Sequence, residues 1–258
     1  MTKLQQAFAK GKAFIPFITA GDPSFEATEK FLLAMATAGA DILEIGVPFS
    51  DPIADGPVIE RANLRALKAG ATVDKVLDMC GRISSKTETP MVLLTYLNPI
   101  FRMGYDKFLS KCVASGVSGL VIPDLPYEER AELSDLADEH NISIIPFVAP
   151  TSEGRVEKIT KSAADSFVYV VSSLGITGVR DEITTNIDRL IKAAKAATPG
   201  LNCAVGFGIS TPEQAAAISK VADGVIIGSA CVKIIEEHGE NAEEKLAEYV
   251  QSIKNAIS

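Results

Sequence analysis

The chain has 258 residues, of which 47% are hydrophobic and 22% are charged, a composition typical of a packed globular protein and not of a disordered chain. Its formal net charge is −8 at pH 7, which argues against general binding of nucleic acids or anionic membranes, because those ligands select basic surfaces. We therefore expect no nucleic-acid or membrane partner, and we expect any anionic ligand to need a local site.

Targeting and metal signals are missing from the sequence. Residues 1–17 lack the apolar core of a signal peptide, and no stretch approaches the roughly 20 apolar residues of a membrane span. The four cysteines lie far apart and only two histidines accompany them, so we expect buried thiols and no metal site. A cytoplasmic location is the resulting prediction.

Eight short apolar runs recur from one end of the chain to the other. They read as nearly continuous hydrophobic segments, which is typical of parallel strands that are buried on both faces. The predicted strands are 14–19, 42–46, 91–96, 119–122, 143–148, 167–171, 203–206 and 224–228.

Amphipathic segments lie between the predicted strands and carry apolar residues at helical spacing. The interval 57–85 is long enough for two helices that are interrupted near Gly70. The other predicted helices are 24–38, 105–114, 127–140, 152–163, 186–197, 211–221 and 243–257.

This alternation predicts an α/β fold, a single (β/α)8 TIM barrel over residues 1–258. We expect an extra N-terminal helix and additional helices in the loops after strands 2 and 8. An open doubly wound sheet would alternate in the same way, but it usually has a G-x-G-x-x-G turn after its first strand. Here residues 19–23 read TAGDP, which favours the barrel and places the chemistry at the C-terminal ends of the strands.

Glu44 is the acidic residue within the second predicted strand. None of the eight runs contains Lys, Arg or His, which disfavours a Schiff-base lysine or a histidine ligand set at the barrel mouth. A structural hydrogen bond to Glu44 is one interpretation. The other is catalytic, because a buried carboxylate without a neighbouring cation has a raised pKa and is able to act as a general acid or base near neutral pH.

The loop that follows, VPFSDPIADGP at 47–57, is longer than the usual two to six residues of a βα connection. Its three prolines indicate a stiffened loop with a functional role. Asp51 or Asp55 is a candidate cap for the helix that begins at Pro57. We favour capping or loop structure for Asp51 and function for Asp55.

Glycine-rich turns follow the last three predicted strands, at 175–178, 206–210 and 228–230. Backbone N–H groups in such turns bind phosphate, and the loops after strands 7 and 8 form the usual phosphate site of a barrel. Tyr169 in the sixth strand is either a core aromatic residue or a site residue, and its hydroxyl has Glu44 as an available acceptor. His140 and His238 lie at predicted helix ends, and we assign them no catalytic role.

Taken together, these motifs resemble the tryptophan synthase alpha subunit family over essentially the whole chain. The most specific match is LEIGVPFSDPIADGP at 43–57. Shorter matches are FIPFITAGDP at 14–23, YLNP at 96–99, PDLP at 123–126, GITG at 175–178 and GFGIS at 206–210.

The resemblance implies a lyase that cleaves indole-3-glycerol phosphate to indole and glyceraldehyde 3-phosphate, the last stage of tryptophan biosynthesis, with no cofactor in this chain. Glu44 would move protons at indole C3 and at the C3′ hydroxyl, Asp55 would accept the indole N–H, and Tyr169 would complete the active site. The implied substrate-binding residues are Ile59, Thr177, Gly178, Phe207, Gly208, Gly228 and Ser229.

The resemblance also implies a partner, a pyridoxal-phosphate-dependent beta subunit in an α2β2 heterotetramer that receives the indole. The expected interface residues are Pro52, Ile53, Tyr96, Asn98, Pro99 and Asp124. Ser173 stands where some family members have arginine, which leaves the local loop contacts open.

Three other interpretations remain at this point. A free-standing lyase that releases indole would carry the same acids. A sugar-phosphate isomerase or epimerase would share the phosphate loops but would not need the Asp55 loop, and a non-catalytic barrel would bind phosphate without turnover.

Overall fold

The computed structural model describes residues 1–258 except Glu153, Ala164, 172–179 and Phe207; for Ser162 and 180–186 it describes the backbone alone. Parallel strands form one sheet in this part of the chain. The strands are β1 Ala13–Thr19, β2 Leu43–Gly46, β3 Met91–Leu94, β4 Val117–Val121, β5 Ser143–Ile145, β6 Phe147–Val148, β7 Phe167–Val171, β8 Asn202–Gly206 and β9 Gly224–Ile227.

The sheet closes on itself, because its strand order is β5-β4-β3-β2-β1-β9-β8-β7-β6 and its two ends are successive pieces of one chain segment. That segment is the single strand predicted at 143–148. Pro146 divides it because proline has no N–H for the ladder, although the Pro146 carbonyl still accepts the N–H of Tyr169 at 2.9 Å. The predicted eight-stranded barrel is confirmed, with its fifth strand in two parts.

Helices cover the outside of the barrel, and most follow the predicted pattern. The predicted helices at 105–114 and 243–257 have the observed bounds, and the 57–85 interval is divided around Gly70, whose φ is +81°. The helices are α1 Lys3–Ala9, α2 Phe25–Thr37, α3 Pro57–Lys68, α4 Val73–Ser84, α5 Leu97–Met103, α6 Tyr105–Ala114, α7 Ala131–Glu139, α8 Val156–Thr160, α9 Arg180–Ala197, α10 Pro212–Ser219, α11 Ser229–His238 and α12 Glu243–Ile257.

Some predicted segments differ from the structure, and the helix predicted at 186–197 begins earlier, at Arg180. The helix expected over 127–140 consists of a 3-10 turn, Tyr127–Glu129, followed by α7, and the one expected over 152–163 is reduced to α8 and the 3-10 turn Lys161–Ala163. Asn98 and Pro99 lie in the first turn of α5, a helix that the sequence pattern does not predict. Pro99 is tolerated there because the first N–H groups of a helix have no partner within it.

The core has an inner and an outer layer. Ile15, Val92 and Ala204 belong to a cluster inside the barrel, whereas a larger cluster packs between the sheet and the helices. Leu4 and Phe8 of α1 join the inner cluster, and the Phe8 ring lies 5.4 Å from that of Phe167 at the start of β7. Helix α1 therefore closes the N-terminal end of the barrel, and a ligand has access from the C-terminal end.

A buried ion pair fixes the loop after β1. Both oxygens of Asp22 accept hydrogen bonds from Arg65 of α3 at 2.8 Å, and Asp22 is only 1% exposed. The same guanidinium donates to Glu236 of α11 at 3.0 Å. One arginine thus connects the β1 loop to the two helices that border the C-terminal end of the barrel.

We predict that Arg65→Ala lowers the free energy of unfolding by on the order of 3 kcal/mol, because it leaves the buried Asp22 carboxylate without its cation. Urea denaturation would measure the change. The matched control is Lys111→Ala, which removes an ion pair to Asp74 whose side chains are 41% and 61% exposed and should cost less than about 1 kcal/mol. Equal losses in the two variants would contradict the structural role of Arg65.

Candidate active site

Two aromatic rings shape the C-terminal mouth of the barrel. A Cβ on Gly46 would lie 2.6 Å from the Phe17 ring, and a Cβ on Gly206 would lie 2.6 Å from the Tyr169 ring. The glycines at these inward positions are therefore required for the rings to lie across the mouth. Phe17, which the sequence analysis did not single out, pairs in register with Glu44 on the next strand.

Glu44 projects into this mouth from β2. Its side chain is 1% exposed, and its Oε1 atom has no hydrogen-bond partner, so the structure does not support a carboxylate held by structural hydrogen bonds at that oxygen. Burial raises the Glu44 pKa from 4.5 to about 8, and the charge of Asp55 adds to the shift. The raised pKa agrees with the sequence prediction, and a pKa in this range is the property of a general acid or base that acts near neutral pH.

Asp55 lies on the loop above Glu44 and is partly buried. Asn63 of α3, itself 4% exposed, donates a hydrogen bond to Asp55 Oδ2 at 2.9 Å. Burial raises the Asp55 pKa, while hydrogen bonds from Asn63 and Tyr96 oppose that rise. Glu44 and Asp55 thus have different surroundings, one without a hydrogen-bond donor at Oε1 and the other with two donors.

Tyr96 holds the same loop in place. Its hydroxyl accepts the N–H of Ala54 at 3.0 Å, and its ring stacks on Phe49 at 5.1 Å. Burial raises the Tyr96 pKa to about 12, so the phenol stays protonated and able to donate. Tyr96, expected at a partner interface, is 2% exposed and bonds to the Asp55 loop of its own chain.

Neither aspartate of the loop caps α3. The residue before the helix is Gly56, which makes no side-chain cap bond, and Pro57 follows at the first position. Asp51 is exposed and accepts a hydrogen bond from the Ser50 hydroxyl. Of the two roles that we favoured for Asp51, capping is wrong and a local loop contact is what the structure shows.

Tyr169 lies beside Glu44 in the interior of the barrel. Burial raises its pKa well above the usual value, and the Glu44 charge contributes to the rise. Its ring lies 4.9 Å from that of Phe147 at a tilt of 41°. The expected hydrogen bond from the Tyr169 hydroxyl does not reach Oε1 of Glu44, which accepts none.

Of the glycine turns predicted for phosphate, the described residues of 206–210 and 228–230 lie at the same end of the barrel. Gly208 is exposed with φ +79°. Gly228 precedes α11 and Ser229 is its first residue, and no side chain caps the N-terminus of this helix. Ile59 packs in a small cluster with Phe17 at the start of α3. Thr177, Gly178 and Phe207, together with the rest of the 175–178 turn and Ser173, lie outside the described residues.

The remaining expected interface residues surround the mouth. Ile53 is 78% exposed, Asn98 is exposed, and Pro52 and Pro99 are partly exposed. Asp124 accepts the Leu97 N–H at 2.9 Å and so caps α5. The Asp55 loop and α5 therefore present a common edge to the outside.

The structure supports the expectation that the cysteines are buried thiols. All four cysteines are free and buried, and burial raises the thiol pKa of Cys80 to about 12.

His140 follows α7 with its ring 3.0 Å from Asp106, and His238 ends α11. Among the described residues no cluster suits a metal ion, and none of their helices is long and apolar enough to cross a membrane.

We predict that Glu44→Gln becomes more stable relative to the parent as pH rises from about 4.5 to about 8. In that window the unfolded parent has lost the Glu44 proton while the folded parent still holds it, so the stability of the parent falls as pH rises. The variant has no such proton. The stability difference should reach a few kcal/mol and level off above the window.

Denaturant unfolding at several pH values would measure this difference. The control is Glu132→Gln, a change at an exposed residue of α7, for which we expect no comparable widening. A constant difference for Glu44→Gln across the window would show that the folded protein does not hold the proton.

We predict that Asn63→Ala raises the pKa of Asp55. In the parent the Asn63 hydrogen bond stabilises the ionised carboxylate, and the variant loses this bond. Carboxyl ¹³C shifts followed as a function of pH would measure it. Asn63→Asp is a poor test because it adds a charge, whereas the exposed Leu64→Ala on the same helix is a suitable control. An unchanged Asp55 titration in Asn63→Ala would contradict the assigned hydrogen bond.

Comparisons with known proteins point to one family. A family model described as the tryptophan synthase alpha chain matches residues 3–258. The chain is 49% identical over 257 residues to the tryptophan synthase alpha chain of Lacticaseibacillus casei, covering 100% of this chain and 96% of the relative. It is 45% identical over 258 residues to that of Lactiplantibacillus plantarum, with coverage of 100% and 97%.

Solved structures show the same fold. The crystal structure of a tryptophan synthase alpha chain from Legionella pneumophila superposes with a TM-score of 0.89 at 35% identity and covers 100% of this chain and 97% of that one. A structure of the tryptophan synthase α2β2 complex from Pyrococcus furiosus gives a TM-score of 0.87 at 39% identity, with coverage of 95% and 99%. The chain belongs to the tryptophan synthase alpha chain family.

Proposed function

We propose that this chain is the alpha subunit of a tryptophan synthase and that it cleaves indole-3-glycerol phosphate to indole and D-glyceraldehyde 3-phosphate. The observation that carries the proposal is the pair of acids at the barrel mouth. Glu44 is buried with a pKa of about 8, and Asp55 lies near enough for its charge to act on Glu44. The reaction needs one proton donor and one fixed anion, and this pair supplies both.

In the proposed reaction, the Glu44 carboxyl protonates indole C3, which turns the ring into an electron sink. The Asp55 carboxylate accepts a hydrogen bond from the indole N–H and stabilises the positive charge that develops there. As the bond between C3 and C3′ breaks, its electron pair returns to the ring and the C3′ hydroxyl proton passes to the Glu44 carboxylate. Indole and the aldehyde leave, and Glu44 has recovered its proton.

The surroundings of the two acids suit these opposite roles. A carboxyl with a pKa near the working pH gives up and regains a proton with little free-energy cost. Hydrogen bonds from Asn63 and Tyr96 oppose protonation of Asp55 and orient its carboxylate. Tyr169, packed beside Glu44, would orient the substrate at the reacting carbon.

The substrate phosphate would lie at the N-terminus of α11. Backbone N–H groups of Gly208, Gly228 and Ser229 would bind it, together with Thr177 and Gly178, and the helix N-terminus favours negative charge. The indole ring would pack against Ile59, Phe17 and Phe207. Backbone donors explain how a protein with a net charge of −8 binds a phosphorylated substrate.

The partner would be a beta subunit in an α2β2 heterotetramer, which receives the indole. The Asp55 loop with Pro52 and the exposed Ile53, the start of α5 with Asn98 and Pro99, and the region of Asp124 and Tyr96 form the proposed contact edge. This chain is proposed to need no cofactor, since pyridoxal phosphate belongs to the beta subunit, and to be cytoplasmic.

We expect purified chain to release indole slowly from indole-3-glycerol phosphate and much faster when a tryptophan synthase beta subunit is added. Glu44→Gln should lower the rate by at least about 10²–10⁴-fold, the effect of losing a positioned acid and base. Asp55→Ala should also lower turnover. The exposed Glu132→Gln serves as the control and should retain the parent rate.

Each other outcome has a definite meaning. Near-parental turnover in Glu44→Gln would refute the mechanism. Fast release that ignores the beta subunit would identify a free-standing lyase, and no release in either condition would require a panel of sugar phosphates in place of this substrate.

A further inference from the structure

A second cavity lies at the opposite end of the barrel from the proposed active site. Its volume is about 380 Å³, and it lies between α7, the start of β5 and the turn before β7. Ser143 is the first residue of β5, and Ser166 directly precedes β7. Because the strands are parallel, this cavity is at their N-terminal ends.

Arg130 lines this cavity, and it is buried to a degree that is unusual for an arginine. Arg130 is only 8% exposed, yet no described residue forms an ion pair or hydrogen bond with its guanidinium. Its one direct contact is with the Tyr127 ring, 4.4 Å from the guanidinium carbon to the ring centroid, and the charge of Asp138 acts on it from beyond ion-pair distance. Buried charges in proteins are normally paired, because desolvation without a partner is costly.

Ser134 supplies a second, independent observation. It lies one helical turn after Arg130 and therefore on the same face of α7, and it lines the same cavity. Its Oγ atom is buried and has no hydrogen-bond partner. Arg130 also borders a cavity on its other side, but Ser134 lines only this one. Arg130 and Ser134 thus line the same cavity, while Tyr127, which the guanidinium contacts, lines the cavity on the other side.

The charge distribution in the cavity favours an anion at its inner end. The buried groups are the guanidinium and hydroxyls, including that of Ser166. The acids that line the cavity, Asp138 and Asp165, are exposed, as is Lys161. An anion beside Arg130 and Ser134 would therefore meet hydrogen-bond donors, with the carboxylates at the outer rim.

We propose that this cavity is a binding site for a phosphate group, separate from the proposed substrate site. The forked donors of arginine match the oxygens of phosphate in geometry and charge, and the hydroxyl of Ser134 would donate to a further oxygen. The volume leaves room for a small organic substituent on the phosphate. Binding neutralises the one buried guanidinium that the described part of the chain leaves unpaired.

The test is a titration of the full chain with inorganic phosphate, followed by ¹H–¹⁵N NMR at constant ionic strength. We expect saturable shifts of the Ser134, Asn141 and Ser143 amides. Arg130→Gln should weaken this binding by about 10-fold or more, as expected for losing hydrogen bonds to a charged group, and Ser134→Ala should weaken it less. A parallel titration with glycerol 2-phosphate would show whether a monoester binds better than the free ion.

The matched control is Arg155→Gln, since Arg155 is an exposed arginine that is already paired with Glu128. It should bind phosphate as the parent does. If Arg130→Gln does not fold, Arg130→Lys keeps the charge but loses the forked donors, and it should also bind more weakly.

The proposal is overturned if these amides show only the linear shifts that sodium chloride produces, or if all Arg130 variants bind as the parent does. Amides of Gly208 and Ser229 report the proposed substrate site in the same spectra. Failure at one site is therefore distinguishable from failure at the other, and Arg130→Gln should keep the parental rate of indole release.

Discussion

The burial of one carboxylate, that of Glu44, is the constraint on which the active end of this barrel depends. An ionised carboxylate with no cation beside it is unstable in an apolar setting, so the folded protein keeps this group protonated up to a pH of about 8. The position lies in the middle of a strand, where the backbone is held on both sides by parallel neighbours. The rigid strand thus holds Glu44 in a buried position in which its carboxyl group stays protonated.

The residues around Glu44 follow from that constraint. Glycines at 46 and 206 leave space for the rings of Phe17 and Tyr169, and the Glu44 side chain in the same mouth is buried. Asp55 occupies a half-buried loop position, where the Asn63 amide and the Tyr96 phenol donate hydrogen bonds to it. Two acids in one mouth therefore differ in proton affinity because their neighbours differ, although both are carboxylates.

The sequence predicts the parts of this arrangement that break a local pattern. Glu44 is conspicuous because it interrupts an apolar run, and Asp55 because it lies in a long proline-rich loop; the strand and helix periodicities fix the barrel. Phe17 and Asn63 give no such signal, since an aromatic residue in an apolar strand and an amide on a helix are both ordinary. Tyr96 was expected at a partner interface, whereas its burial and its bond to the Ala54 N–H show that it supports the Asp55 loop.

Closure of the N-terminal end of the barrel by α1 affects the route by which a substrate enters and a product leaves. With Leu4 and Phe8 packed among the innermost side chains, the described residues close the N-terminal end of the barrel, so substrate and product would both pass through the C-terminal end. The exposed Ile53 lies on the loop that borders the C-terminal mouth of the barrel. A protein seated on that loop would decide whether a small apolar product escapes to water or passes directly into its own interior.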